Sequence, residues 1–178
     1  MANRVNMASP TPSASPLFLR ETEIRRGVEL LYFGNSHLTR AIDQGLASKG
    51  LGRAHHRALY FIARKPVMTV SELLSLLAIT KQSLGRVLRQ LVDGGFVEQL
   101  PGAEDRRQRR LFPTQEGRDL ALELSRAQAA RIEAALGAAG PDETDPVANF
   151  LLEMSGDRDS TKAWFERNGI GSARGRRP

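Results

Sequence analysis

The chain has 178 residues, no cysteine, 40% hydrophobic residues and a formal net charge of +6. The absence of cysteine excludes disulfide frameworks, thiolate zinc sites and thiol-based redox sensing and fits a reducing cytoplasm, and no apolar run approaches the roughly 18 residues of a membrane span. The charge is unevenly placed: residues 51–118 hold 12 Lys and Arg against 6 Asp and Glu, while the rest of the chain holds 14 of each, so the excess sits in the middle third and points to a polyanionic partner.

Residues 1–19 are rich in Ser, Pro and Ala and lack an apolar h-region, so they read as a disordered lead rather than a signal peptide. Over 20–50, Ile24, Val28, Leu31, Asn35, Leu38, Ile42 and Leu46 recur at steps of three and four. That near-heptad stripe predicts a long helix suited to packing against another helix, for instance from a second subunit.

Residues 51–66 predict a helix with Leu51, Ala58, Leu59 and Ile62 on one face, stopped by Pro66. Thr69 and Glu72 form a capping-box pattern before a short helix whose buried face is Val70, Leu73, Leu74 and Leu77. Thr80 caps the next helix, where Leu84, Val87, Leu88, Leu91 and Val92 follow the amphipathic spacing. Gly94 and Gly95 end it, because glycine takes a left-handed C-cap without strain. FVEQL and RRLF then read as two strands around the turn LPGAED, with Pro113 stopping the second. Thr114 caps a long helix to about residue 139, with Glu116 in its first turn. DETDPVANFLLEM reads as a further helix within 114–155. Residues 156–178 hold a break, the short helix STKAWFERNG and a basic flexible tail.

The middle third is therefore helix, short helix, a connection of about three residues, amphipathic helix and two strands. That order is a helix-turn-helix followed by a β-ribbon wing, spanning 51–113. The face of the second helix opposite its buried stripe carries Lys81, Gln82, Ser83, Arg86 and Arg89. These groups can donate to phosphates or to base edges, although any surface helix is polar outside. Four arginines fall between Asp105 and Arg110 at the wing. Adjacent guanidiniums repel one another, and phosphate or the narrow minor groove removes that repulsion. Asp105 reads as a brace for Arg107 or for an arginine of the second helix, or else as a plain turn residue.

The stretch LSLLAITKQSLGRVLRQLVDGGFVEQLPGAEDRRQRRLFPTQEG resembles the winged helix-turn-helix of MarR-type bacterial transcriptional regulators. The shared features are the short helix, the Gly-Gly-Phe-Val closure, the Asp105-Arg106-Arg107 wing and the helix start Thr114-Gln115-Glu116-Gly117. With its flanking helices the resemblance covers about residues 20–155. It implies a mainly α fold with a small β-wing. It also implies a homodimer formed by helices from 20–50 and 114–155, and a pseudo-palindromic double-stranded DNA operator. Thr80, Lys81, Gln82, Ser83 and Arg86 match recognition-helix positions; Arg106 and Arg107 match the wing, and Asp105 its brace, while Arg89 and Arg109 are further candidate DNA contacts beside them. The chain departs from the family at Pro113, Arg109 and Arg110, where apolar residues are usual, so this wing is unusually basic.

Such regulators often bind a small molecule, for which His37, Arg40, His55, His56, Arg57 and Tyr60 are the candidates here. The adjacent His55 and His56 point about 100° apart on a helix and cannot chelate one metal from one face. No cofactor is expected. Catalysis is not expected either, since the chain has no phosphate loop, no G-x-G-x-x-G, no H-E-x-x-H and no Cys/His pair. The rival reading is a winged-helix module that binds the transcription machinery rather than DNA. A wing of that kind should expose an apolar patch, and this one is arginine-rich.

Overall fold

The computed structural model describes residues 21–102, 108–139, 144–156 and 158–167. In chain order these form α1 (Glu21–Ala47), α2 (Arg53–Arg64), α3 (Val70–Leu77), α4 (Lys81–Asp93), β1 (Val97–Pro101), β2 (Arg109–Pro113), α5 (Gln115–Ala139), α6 (Thr144–Met154) and α7 (Arg158–Arg167). It is a mainly helical fold with one two-stranded antiparallel sheet. The chain divides into two units between His37 and Leu38. In the first, the α1 residues Ile24, Val28, Leu30, Tyr32 and Phe33 are exposed.

The second unit is built around the helix-turn-helix. Ile42 and Leu46 from the end of α1, Ala58, Leu59 and Ile62 from α2, and Leu73 and Leu77 from α3 are buried together. Leu84, Val87, Leu88 and Leu91 from α4, Phe96, Val97 and Leu111 from the wing, and Leu120 and Leu124 from α5 complete that core. Each of these large side chains contributes about 1.5–3 kcal/mol by leaving water. Of the expected long stripe on α1, Leu31 and Leu38 are half-buried, and Ile24, Val28 and Asn35 face out. Val92 is exposed, not buried as its spacing suggests, because α4's neighbours reach only as far round as Leu88 and Leu91. On α3, Val70 and Leu74 are half-buried rather than fully covered.

The caps explain where the helices begin. Thr69 Oγ1 accepts the Glu72 amide at 3.1 Å, and Glu72 Oε2 accepts the Thr69 amide at 2.7 Å. This reciprocal pair satisfies two amides of the first turn. Thr114 Oγ1 accepts the Gly117 amide at 3.0 Å and donates to the Gly95 carbonyl at 2.6 Å. A Cβ on Gly117 would overlap the Phe96 carbonyl oxygen, so only glycine lets α5 start against the wing strand. At the end of α4 it is Gly95, at φ +76°, that takes the left-handed conformation, while Gly94 stays right-handed at φ −80°. Pro113 does not stop β2 but is its last residue, opposite Val97. It needs no amide there, and its carbonyl accepts from Arg118 Nη1 at 2.8 Å.

Two non-glycine residues have positive φ: Ala78 at +49° and Val67 at +73°. Ala78 is the left-handed C-cap of α3, in the turn of the helix-turn-helix. For a β-branched residue such as Val67 this is a costly conformation, on the order of 1–3 kcal/mol, kept only where surrounding bonds enforce it. The C-terminal α7 rests on α2 through Trp164 and Phe61, edge to face with centroids 5.3 Å apart.

Candidate nucleic-acid interface

Helix α4 is anchored on one side and bare on the other. Its stripe Leu84, Val87, Leu88 and Leu91 is buried, while Lys81, Gln82, Ser83, Arg86 and Arg89 are exposed. Thr80 is committed to the cap: its Oγ1 accepts the Ser83 amide at 3.2 Å and donates to Ser83 Oγ at 2.9 Å. Ser83 accepts that bond and keeps its own hydroxyl proton as a donor. Thr80 thus fixes the start of α4, and the side chains that follow it present the donors.

The wing strands lie beside this face. Between the start of α3, α4 and the strands runs an open groove of about 920 Å³ lined by Lys81, Gly85, Arg89, Gln99, Gln108 and Arg109, among others. Three cations from two elements converge there. Gln99 and Gln108 add amides that the sequence reading missed. For Gln99 the signal was the strand alternation, which puts it opposite Leu111; Gln108 lies before β2 and had no such signal. Gly85 was also missed. Nothing lies within 4 Å of the Cβ it lacks, so no packing demand explains a glycine in mid-helix.

The wing closes where the Gly102 amide donates to the Gln108 carbonyl at 2.8 Å. Asp105, Arg106 and Arg107 lie outside the described residues. Arg109 and Arg110 part company, as neighbours on a strand must. Arg109 is exposed on the groove, whereas Arg110 is half-buried and donates from Nη1 to the Val67 carbonyl at 3.2 Å.

The candidate effector residues fall in both units of the chain. His37 is exposed in the first unit, and Arg40 and Arg57 are exposed in the second. His55 uses both ring nitrogens: Nδ1 accepts the Gly52 amide at 2.9 Å, so Nε2 carries the proton and donates to Gln90 Oε1 at 2.7 Å. It ties the start of α2 to α4. His56 is buried, at 8% exposure, and packs near the Tyr60 ring with centroids 6.2 Å apart. Its Nε2 has no hydrogen-bond partner among the described residues, and burial holds its pKa below the ordinary value. Among the described residues no three His, Asp or Glu side chains group to hold a metal ion, and no helix is long and apolar enough to cross a membrane.

A family model described as the MarR family matches residues 49–108, from the loop before α2 into the wing. The chain is 48% identical over 138 residues to the HTH-type transcriptional regulator PetP of Rhodobacter capsulatus, an alignment that covers 78% of this chain and 83% of that protein. Among solved structures it is similar to FabT of Streptococcus pneumoniae in complex with DNA, with a TM-score of 0.67 and 20% identity over 74% of this chain and 94% of that one. It is also similar to a mutant MarR from E. coli complexed with operator DNA, with a TM-score of 0.58 and 23% identity over 79% of this chain and 99% of that one. At these identities the two structures share the fold.

Proposed function

The chain belongs to the MarR family of transcriptional regulators, and from that premise we propose that it binds a pseudo-palindromic double-stranded DNA operator as a homodimer in the cytoplasm. In this reading α4 enters the major groove, with Lys81, Gln82, Ser83, Arg86 and Arg89 as its contacts and Thr80 as the cap that orients them. Arg106, Arg107 and Arg109 reach the backbone or the adjacent minor groove, and Asp105 braces them. The observation that carries the reading is the convergence of Lys81, Arg89 and Arg109 on one groove between α4 and the wing. A reading helix and a basic ribbon side by side suit a duplex, which offers phosphates beside base edges. The two fold relatives above were solved with DNA, which supports the same partner.

The homodimer is supported by apolar surface that the single chain leaves open. On α6, Val147, Phe150, Leu151 and Met154 are exposed, and on the first part of α1 so are Ile24, Val28 and Leu30. Helices with apolar faces on this scale are usually covered in the working assembly.

The test is a fluorescence-anisotropy titration against DNA from upstream of the protein's own gene and against a scrambled duplex, over a series of salt concentrations. Tighter binding to the upstream duplex that persists as salt rises is the expected result. Equal, salt-sensitive binding to both would remove sequence readout. No binding to either would favour a protein-binding wing. In the same assay Arg107→Ala should weaken binding and lower the salt slope by about one phosphate contact. Gln82→Ala should relax sequence preference more than it weakens non-specific binding.

A further inference from the structure

Of the two wing arginines among the described residues, one does not face the groove. We propose that Arg110 is a positioning residue for DNA binding: it locks the second wing strand to the α2–α3 connector and so sets where Arg109 stands relative to α4. The inference rests on the DNA-binding reading above.

Three hydrogen bonds make the lock. The Arg110 guanidinium donates to the Val67 carbonyl at 3.2 Å. The Val67 amide donates to the Leu111 carbonyl at 3.0 Å, and the Leu111 amide donates back to the Met68 carbonyl at 2.9 Å. Thr69 and Arg110 form an isolated antiparallel bridge. The connector thus runs antiparallel beside β2 through one isolated bridge, and Met68 at its centre is buried in the core.

Val67 gives independent support. Its left-handed φ of +73° is unfavourable for valine, and the residue is 42% exposed, so packing alone does not hold it there. The bonds to Leu111 and Arg110 do, and the left-handed bend turns the Val67 carbonyl to where Arg110 reaches it. The connector then runs directly into the Thr69–Glu72 cap of α3, and Lys65, just before it, pairs with Glu72 at 2.8 Å. One anchor therefore fixes both the wing and the helix pair that carries α4. Arg109, one residue away, has no such bond in this lock and faces the groove. The alternation of a strand assigns one arginine to DNA and its neighbour to the fold.

The experiment measures operator affinity and salt slope for the full chain, for Arg110→Met, Arg110→Lys and Arg109→Gln, and for the triple variant Arg106→Ala/Arg107→Ala/Arg109→Ala with and without Arg110→Met. Melting temperature is followed for each. Arg109→Gln should lower the slope by about one contact. Arg110→Met should cost about tenfold in affinity and reduce the slope toward that of the triple variant. It should add nothing within the triple variant, because it acts through the wing. Arg110→Lys keeps a donor for the Val67 carbonyl and should recover most of the loss. Should Arg110→Met fail to fold, Arg110→Gln takes its place in both backgrounds, with Arg110→Lys still the expected rescue. A further drop of about one contact when Arg110 is changed in the triple variant would make it a phosphate ligand and overturn the proposal. So would wild-type behaviour of Arg110→Met. If the wild-type chain binds no duplex, the DNA reading falls and this inference with it. Wild-type binding with an indifferent Arg110 sinks the inference alone.

Discussion

Gly85 sits on the exposed side of α4 among Lys81, Gln82 and Arg89, in a helix where glycine is the costliest choice after proline. Ala would fit, since nothing lies within 4 Å of its Cβ, and would favour the helix by about 0.5–1 kcal/mol. The missing side chain instead leaves the groove open and lets a ligand approach the α4 backbone. Gly85→Ala should therefore raise the urea midpoint while lowering operator affinity, by about threefold or more. A gain in stability with unchanged affinity would show that the bare position serves no contact. Gly117 is the opposite case. There the Cβ would meet the Phe96 carbonyl, so the same substitution should destabilise the chain. One residue type thus answers two different demands, and only the surroundings tell them apart.

At the scale of elements, the start of α3 carries a titratable cap. Lys65, the Thr69 amide and the Thr69 hydroxyl together hold the Glu72 carboxyl down to about 2 from its ordinary 4.5. A depressed carboxylate contributes stability that is present above its unfolded pKa and lost as pH falls through its folded one. The window here is thus from about 4.5 down to about 2. The pair is nearly half exposed, so solvent screening limits its worth to about 0.5–1 kcal/mol. Glu72→Gln keeps an acceptor without the charge, so urea midpoints of wild type and variant should differ at pH 7 and converge near pH 2. A gap that persists at low pH would mean that the charge is not what stabilises the cap. This cap, like those at Thr80 and Thr114, was legible in the sequence because its signal lies within four residues. So was the stripe of α4, because the 3.6-residue period is local too. The pattern could not say how far round the helix the neighbours extend, hence the exposed Val92. It could mark a stop at Gly94-Gly95 but not choose which glycine turns left-handed. Contacts distant in sequence left no local trace. His55 meets Gln90 35 residues on, and Arg110 turns back to Val67 across 43. The site was legible as a charged helix and a charged ribbon. Which of Arg109 and Arg110 turns to the groove required the strand register.

At the scale of the whole molecule, the proposed operator binding depends on whether two α4 helices act as one unit in the proposed homodimer. A single winged helix covers one half-site, and linking two raises affinity through effective concentration without a new contact. The surface available for that linkage includes α6, where Phe150 is 52% exposed beside the exposed Val147, Leu151 and Met154. Phe150→Asp loses little within one chain, because the ring is already half in water. Between two chains it would bury an unpaired carboxylate, which costs several kcal/mol. Light scattering should therefore report twice the chain mass for wild type and a shift toward the single chain for Phe150→Asp, with the melting temperature little changed. Operator affinity should fall at least a hundredfold, and the salt slope should drop by about half as one set of phosphate contacts is lost. A wild-type mass of one chain would remove the dimer. An intact Phe150→Asp dimer would instead move the interface off α6, toward the apolar first part of α1, where Val28→Asp makes the same comparison.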